Sequence, residues 1–366
     1  MPHSSAALPR PARESSGELV RLVAMLMIVT HHWVVHALFP GMLSPDATGQ
    51  TWDYSLMLGL GGFFYLGVNM FVLLSGWYTI RLKPRSILNL YTICAAYALV
   101  HVVLKVARHG AGMLSAGHVA SVLLPFSHTG LWFIQCYVAL MLLSPLLNAA
   151  LDSMSRRTLL WALGLLGVMS LWFGYLWNIV HMNSDGYTTL QFVMLYLLGG
   201  CLRRCCPSDW LRRRRSLLLW VFVACAALWG MLALLKAWHL PAGFPLPLHP
   251  FHYNNPLILT ASAPLFLCLM SRSFRSRAVN WLAPSCLAVY IVQESIVKYQ
   301  WLTELSSGWT PVQRVAALLL LSVGFMLAIM MLDKVRILAM RPLWRFYDNH
   351  IDPTLNRGLR STPKHK

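Results

Sequence analysis

Arg21 and His32 stand eleven positions apart inside an apolar run of about 19 to 39. An α-helix turns about 100° and rises 1.5 Å per residue, so eleven residues return to within about 20° of the same face, about 16 Å further on. One helical stripe then carries a guanidinium, suited to a phosphate or another anionic head, and an imidazole able to take a proton near neutral pH. His31 falls about 80° to the side, so of the adjacent pair it is His32 that shares the Arg21 direction. Glu18, three residues before Arg21, is placed to pair with it across one turn. The other ionisable groups within long apolar runs are His36, His101 and Glu294. Such groups are costly in hydrocarbon and mark functional sites by default. Glu294 is expected to pair with a histidine or a bound hydroxyl. A histidine in a span also serves simply as a hydrogen-bonding partner for a neighbouring helix, and that is the default reading of His31, His36 and His101 taken singly.

The elements that must position these groups follow from composition. Of 366 residues, 57% are apolar and only 11% charged, against about 25% charged in soluble domains, which excludes an ordinary soluble protein. The formal net charge of +18 does not imply a nucleic-acid partner, because the charges lie in short clusters between apolar runs. A bilayer core of about 30 Å needs about 20 apolar residues per helix. Ten windows qualify, near 19–39, 61–80, 87–104, 131–151, 158–177, 187–202, 216–235, 255–271, 282–297 and 311–332, the sixth, eighth and ninth being short. The expected fold is all-α, a polytopic membrane helix bundle in contact with the lipid bilayer. Alternate connections hold 24 of the 30 Lys and Arg residues, which places both termini in the cytoplasm. Domain organisation is then a tail over 1–18, a membrane domain over 19–332 and a basic tail over 333–366. The N-terminal run has no small-residue cleavage site and reads as a retained anchor.

Eight cysteines are present. Cys201, Cys205 and Cys206 cluster without a paired CxxC or a nearby histidine, so no metal site is expected. The connection around 239–256 holds His239, His249, His252, Tyr253, Asn254 and Asn255 among prolines. Aromatic faces and neutral hydrogen-bonding groups there suit a sugar, and equally an interfacial aromatic belt.

The stretch from Ser16 to His32, with its Glu18, Arg21 and His32 spacing, resembles the first span of the acyltransferase 3 superfamily, whose hallmark is an arginine, ten residues and a histidine. Further stretches agree in order: FVLLSGWY (71–78), LWFIQCYVALMLLSPLLN (131–148), FVMLYLLGGCLRR (192–204), YNNPLILTASAPLFL (253–267) and LAVYIVQES (287–295). The 131–148 stretch resembles the subgroup linked to polysaccharide O-acetylation. Where many relatives read Tyr-Leu-Ile-His, this chain has Tyr290, Ile291, Val292 and Gln293. Either that histidine is dispensable, or Gln293 and Glu294 replace its hydrogen bonding.

The resemblance implies an integral membrane enzyme, with several passes through the cytoplasmic membrane, that moves an acyl group, most often acetyl, from acyl-CoA to a sugar hydroxyl of an envelope or exported polysaccharide or its lipid-linked precursor. Acetyl-CoA is a co-substrate, and no permanently bound cofactor is expected. His32 is then the base or a transient acyl acceptor, two mechanisms the sequence leaves open, with Glu294 beside it. Arg21, with Arg81 and Lys83 or Arg85, would hold the CoA phosphates. His31, Trp132, Tyr137, Tyr253, Asn254 and Gln293 would contact the carbohydrate acceptor. Ser75 is either an oxyanion donor or, with Gly76, a point of close helix approach. The alternative from another class is a proton-coupled secondary transporter using the intramembrane histidines and Glu294.

Overall fold

The computed structural model describes residues 14–39, 52–238 and 251–351, and every regular element among them is helical. Seven helices are long and apolar enough to cross a membrane. These are α1 (Ser16–Leu38), α2 (Trp52–Trp77), α3 (Pro84–His109), α4 (Trp132–Ser153), α5 (Arg156–Leu176), α7 (Ser208–Trp238) and α10 (Pro311–Ala339). Three shorter helices, α6 (Thr189–Cys205), α8 (Pro256–Met270) and α9 (Cys286–Ser295), occupy the windows expected to be short. Polar residues begin several of them. Ser155, Thr188 and Asn255 each accept a backbone N–H of the helix that follows, and Thr310 forms a capping box with Gln313. These caps satisfy donors that hydrocarbon cannot.

Several helices outrun their hydropathy windows. The second begins at Trp52 rather than 61, and the last continues to Ala339 rather than 332. A window scores only the hydrocarbon layer, whereas a helix carries on through the interface with polar and basic residues on its flanks. Asp333, placed by the sequence at the start of a tail, is instead fully buried within α10. It accepts a bidentate interaction from Arg336 and a hydrogen bond from Tyr97 Oη at 2.8 Å. Arg10, Arg13, His239 and His249 lie outside the described residues, as does the segment from 352 onward.

α1 and α2 form the centre, with two thirds of their apolar windows buried, against 17% in α7 and 22% in α10. α1 packs on α2, α8, α9 and α10. The outer helices turn residues such as Leu217, Trp220, Leu319 and Leu320 outward, as a bilayer-facing surface requires. α2 and α6 meet at backbone distance, because a Cβ at Gly76 would stand 2.0 Å from the Tyr196 carbonyl oxygen and one at Gly199 2.2 Å from that of Leu73. The Ser75–Gly76 pair therefore serves close helix approach, and Ser75 Oγ donates to the Phe71 carbonyl at 3.0 Å. Gly199→Val should destabilise the fold by at least about 1–3 kcal/mol, since backbone must shift to admit the side chain. Thermal unfolding in detergent checks this, and an unchanged midpoint would contradict the packing.

Candidate functional site

The α1 stripe is real and longer than two residues. Glu18, Arg21, Met25 and Ile28 line one cavity of about 860 Å³, within the roughly 300–1,000 Å³ typical of small-molecule sites. Their spacing of three, four and three residues keeps them on one helix face, and His32 is the next member of that series. On α9, Leu287 and Tyr290 line the same cavity, and Glu294 follows Tyr290 by four. The cavity thus runs along two helices and stops one turn, about 6 Å of rise, short of a residue pair carried by both.

That pair is joined. His32 Nε2 lies 3.0 Å from Glu294 Oε1, the partnership expected for Glu294. Gln293, fully buried, donates from Nε2 to the Val29 carbonyl at 3.2 Å and lies alongside the His32 imidazole. It ties α9 to α1 at the level of the pair. With Nε2 turned to the carboxylate, Nδ1 of His32 is buried, and the Gln293 amide is the polar side chain beside the ring. If Nε2–H donates to Glu294, Nδ1 keeps its lone pair and is the basic atom. His101 Nδ1 contacts the carbonyl oxygen of Ser295, next to Glu294, which is a helix-bridging role.

The far side of the pair is open. Glu294 keeps 32% of its side-chain surface accessible, and His36, one turn beyond His32, is exposed with its ring 5.7 Å from that of His32. The sequence offered His36 as a packing residue. Its four-residue offset from His32 was the available signal.

The cations expected at the donor end separate into two kinds. Arg21 is paired with Glu18 in the cavity wall. Arg81 and Lys83 line the cavity and, among the described residues, have no carboxylate partner, so they carry its uncompensated charge. Arg85 does not line it. Its guanidinium meets Asp348 Oδ1 at 2.6 Å and lies over the Trp344 ring. Arg336, which the sequence did not single out, is a cavity residue held by Asp333. Its signal was an acidic–basic pair three apart at the end of the last span.

The expected acceptor residues are also divided. Tyr137 lines the inner cavity, its hydroxyl 3.4 Å from Ser75 Oγ. Trp132, five residues earlier and so about 140° around the helix, instead joins an aromatic cluster with Tyr187 and Tyr253 at 4.5 and 5.1 Å between ring centres. Tyr65 continues the cluster, 4.3 Å from Tyr253 and 4.6 Å from His31, and its hydroxyl is 2.6 Å from that of Tyr187. His31 is a buried member of this wall, its Nδ1 2.8 Å from the Gly61 carbonyl oxygen. Asn254 is fully buried and donates to the Ser170 and Asn183 carbonyls, which fixes this connection. Tyr187 was among the outer-loop aromatics able to stack on a sugar, whereas Tyr65 was missed because only the fold brings it beside Tyr187 and Tyr253.

The bundle thus holds a cavity that ends one turn short of a histidine–carboxylate pair. A family model for the acyltransferase domain of the acyltransferase 3 type matches residues 16–331, and the chain belongs to that family. Comparison with curated proteins and with solved structures gives no match. The chain is thus a multi-pass membrane acyltransferase. Replacing Glu294 with Gln keeps the side-chain size but removes the charge that would stabilise an imidazolium. Acyl transfer by the purified protein should fall by on the order of 10²- to 10⁴-fold with its elution as folded protein unchanged, and a rate within twofold of the parent would exclude the carboxylate from the chemistry.

Proposed function

We propose that the enzyme transfers an acetyl group from acetyl-CoA, entering from the cytoplasmic side, to a hydroxyl of an envelope or exported polysaccharide, or of its lipid-linked precursor, presented on the outer side of the plasma membrane. The observation that carries this reading is the alignment of the cavity with the pair, one lined stripe on each of α1 and α9 leading to His32 and Glu294. The distribution of Lys and Arg supports cytoplasmic termini, which puts the cavity end bearing Arg81 and Lys83 inside. The cavity interior, with Val68, Phe71, Leu74 and Phe133 in its wall, suits a long neutral arm. Arg81 and Lys83 stand where the arm's phosphates would lie, beside the N-terminus of the 26-residue helix α3, whose free N–H groups favour anions.

A sugar hydroxyl is a weak nucleophile near neutral pH and needs a positioned base. In the proposed step, His32 Nδ1 takes the hydroxyl proton as the oxygen attacks the thioester carbonyl. Glu294 holds Nε2–H and stabilises the imidazolium that forms. Collapse of the tetrahedral intermediate breaks the C–S bond, and the departing sulfur takes the proton back from Nδ1. The exposed edge of Glu294 and His36 supplies the acceptor approach, and the Trp132, Tyr187 and Tyr253 cluster offers aromatic faces on which a sugar can stack. Family membership favours transfer over the transporter alternative.

His32→Ala should abolish acyl transfer while leaving folded, membrane-inserted protein, and mass spectrometry of surface glycans should show loss of one acetyl per modified sugar. Glycans unchanged in mass, with solute uptake altered, would instead support transport. Arg21→Ala should raise the KM for acetyl-CoA more than that for the acceptor, and an unchanged acetyl-CoA affinity would contradict its place in the donor site.

A further inference from the structure

The matched family region ends at residue 331, yet the chain continues into the donor cavity. After α10 a short helix, α11 (Arg341–Phe346), runs into a final turn, Tyr347–Ile351. This segment is held at the start of α3 by Arg85, which meets Asp348 at 2.6 Å and places its guanidinium 5.5 Å from the centre of the Trp344 ring. The Tyr347 ring abuts Trp344 at 6.2 Å and 69°. An exposed ion pair of this kind contributes little stability. Its effect is positional, since the cation–π contact and the Tyr347 edge together fix the orientation of a half-buried indole that is itself part of the cavity wall.

The neighbours of that indole in the cavity wall give it a use. The same wall carries Arg81 and Lys83, which have no carboxylate partner among the described residues, and Ser86 in the first turn of α3, while Arg85 of that turn reaches the Trp344 ring. A donor built as thioester, arm, phosphates and purine carries its purine next to its phosphates, as this wall carries an indole together with its cations. A purine ring emerging past the phosphates meets an aromatic side chain whose orientation is already set. Arg85, assigned by spacing to the phosphates, then acts one step removed, as the positioning residue for the ring.

We propose that Trp344, carried by the segment after the last span and held by Arg85 and Asp348, is the stacking platform for the adenine of the acyl-CoA donor. The enzyme would thereby select nucleotide-bearing thioesters over acyl carriers that end at the phosphopantetheine arm. This inference rests on the donor reading given above.

The test compares acetyl-CoA with S-acetylpantetheine, which carries the same thioester without the nucleotide, using the full-length protein in detergent or nanodiscs. The quantity is the ratio of kcat/KM for acetyl-CoA to that for S-acetylpantetheine. Trp344→Leu, which keeps apolar bulk and removes the ring, should lower this ratio by roughly 5- to 150-fold, the range of base–aromatic stacking. Trp344→Phe should restore most of it. General damage to the protein lowers both values together and leaves the ratio as it was, so an unchanged ratio in Trp344→Leu, or equal falls in the Leu and Phe variants, would overturn the stacking role. A parent protein that uses neither thioester would overturn the donor reading as well.

Discussion

A carboxylate and an imidazole placed among apolar helices must answer one another. In water each would be solvated; at membrane depth an unpartnered charge or lone pair is expensive, and the least costly arrangement is a short contact between them. The 3.0 Å approach of His32 to Glu294 therefore constrains the bundle. It fixes how α9 sits against α1, with Gln293 on the Val29 carbonyl as a second tie beside it. The α2–α6 glycine crossing and the burial of α1 and α2 hold the framework in which that approach is made. The same pairing that satisfies the bundle occupies Nε2 and leaves Nδ1 as the imidazole nitrogen not committed to the carboxylate.

The inner cavity shows a similar economy of charge. Two of its guanidinium groups are neutralised on the spot, Arg21 by Glu18 and Arg336 by Asp333. Both pairs sit three residues apart on a single helix, an arrangement that keeps the arginine extended into the cavity wall without adding net charge. Arg81 and Lys83, outside the long helices, have no carboxylate partner among the described residues. An anionic ligand would be drawn to the cavity entrance by the free cations and met further in by directional donors that are already oriented. A single stripe of strong free cations reaching toward His32 would instead hold anions deep in the bundle and oppose release.

Much of the site was legible because helices translate spacing into direction. The interval from Arg21 to His32 sufficed to place both on one face, and Glu18, Arg21, Met25 and Ile28 line the cavity with His32 one turn beyond it. Glu18 as the partner of Arg21 followed from the same rule. The intramembrane cost of Glu294 was enough to predict a partner, either a histidine or a bound hydroxyl. Less legible were groups whose role depends on long-range neighbours. Tyr137 and Trp132 share one helix and one motif, yet five residues of rotation send one to the inner cavity and the other to the aromatic cluster. Asn254, beside Tyr253, faces two backbone carbonyls, which no local pattern announces. Arg85 looked equivalent to Arg81 and Lys83 until the C-terminal turn supplied Asp348.

By itself the sequence determined that this is a helical membrane protein, that Arg21 and His32 share a face, and that the polar groups within apolar runs are few enough to name. Those conclusions depend on composition and on a fixed helical period, both local properties of the chain. Only the tertiary structure decided that His32 chooses Glu294, that the aromatic wall includes Tyr65 and Tyr187, and that Trp344, past the last span, returns to the cavity wall. The reason is physical: each of these contacts joins segments far apart in the chain, and their meeting is set by how helices of unequal length pack, which local periodicity does not encode.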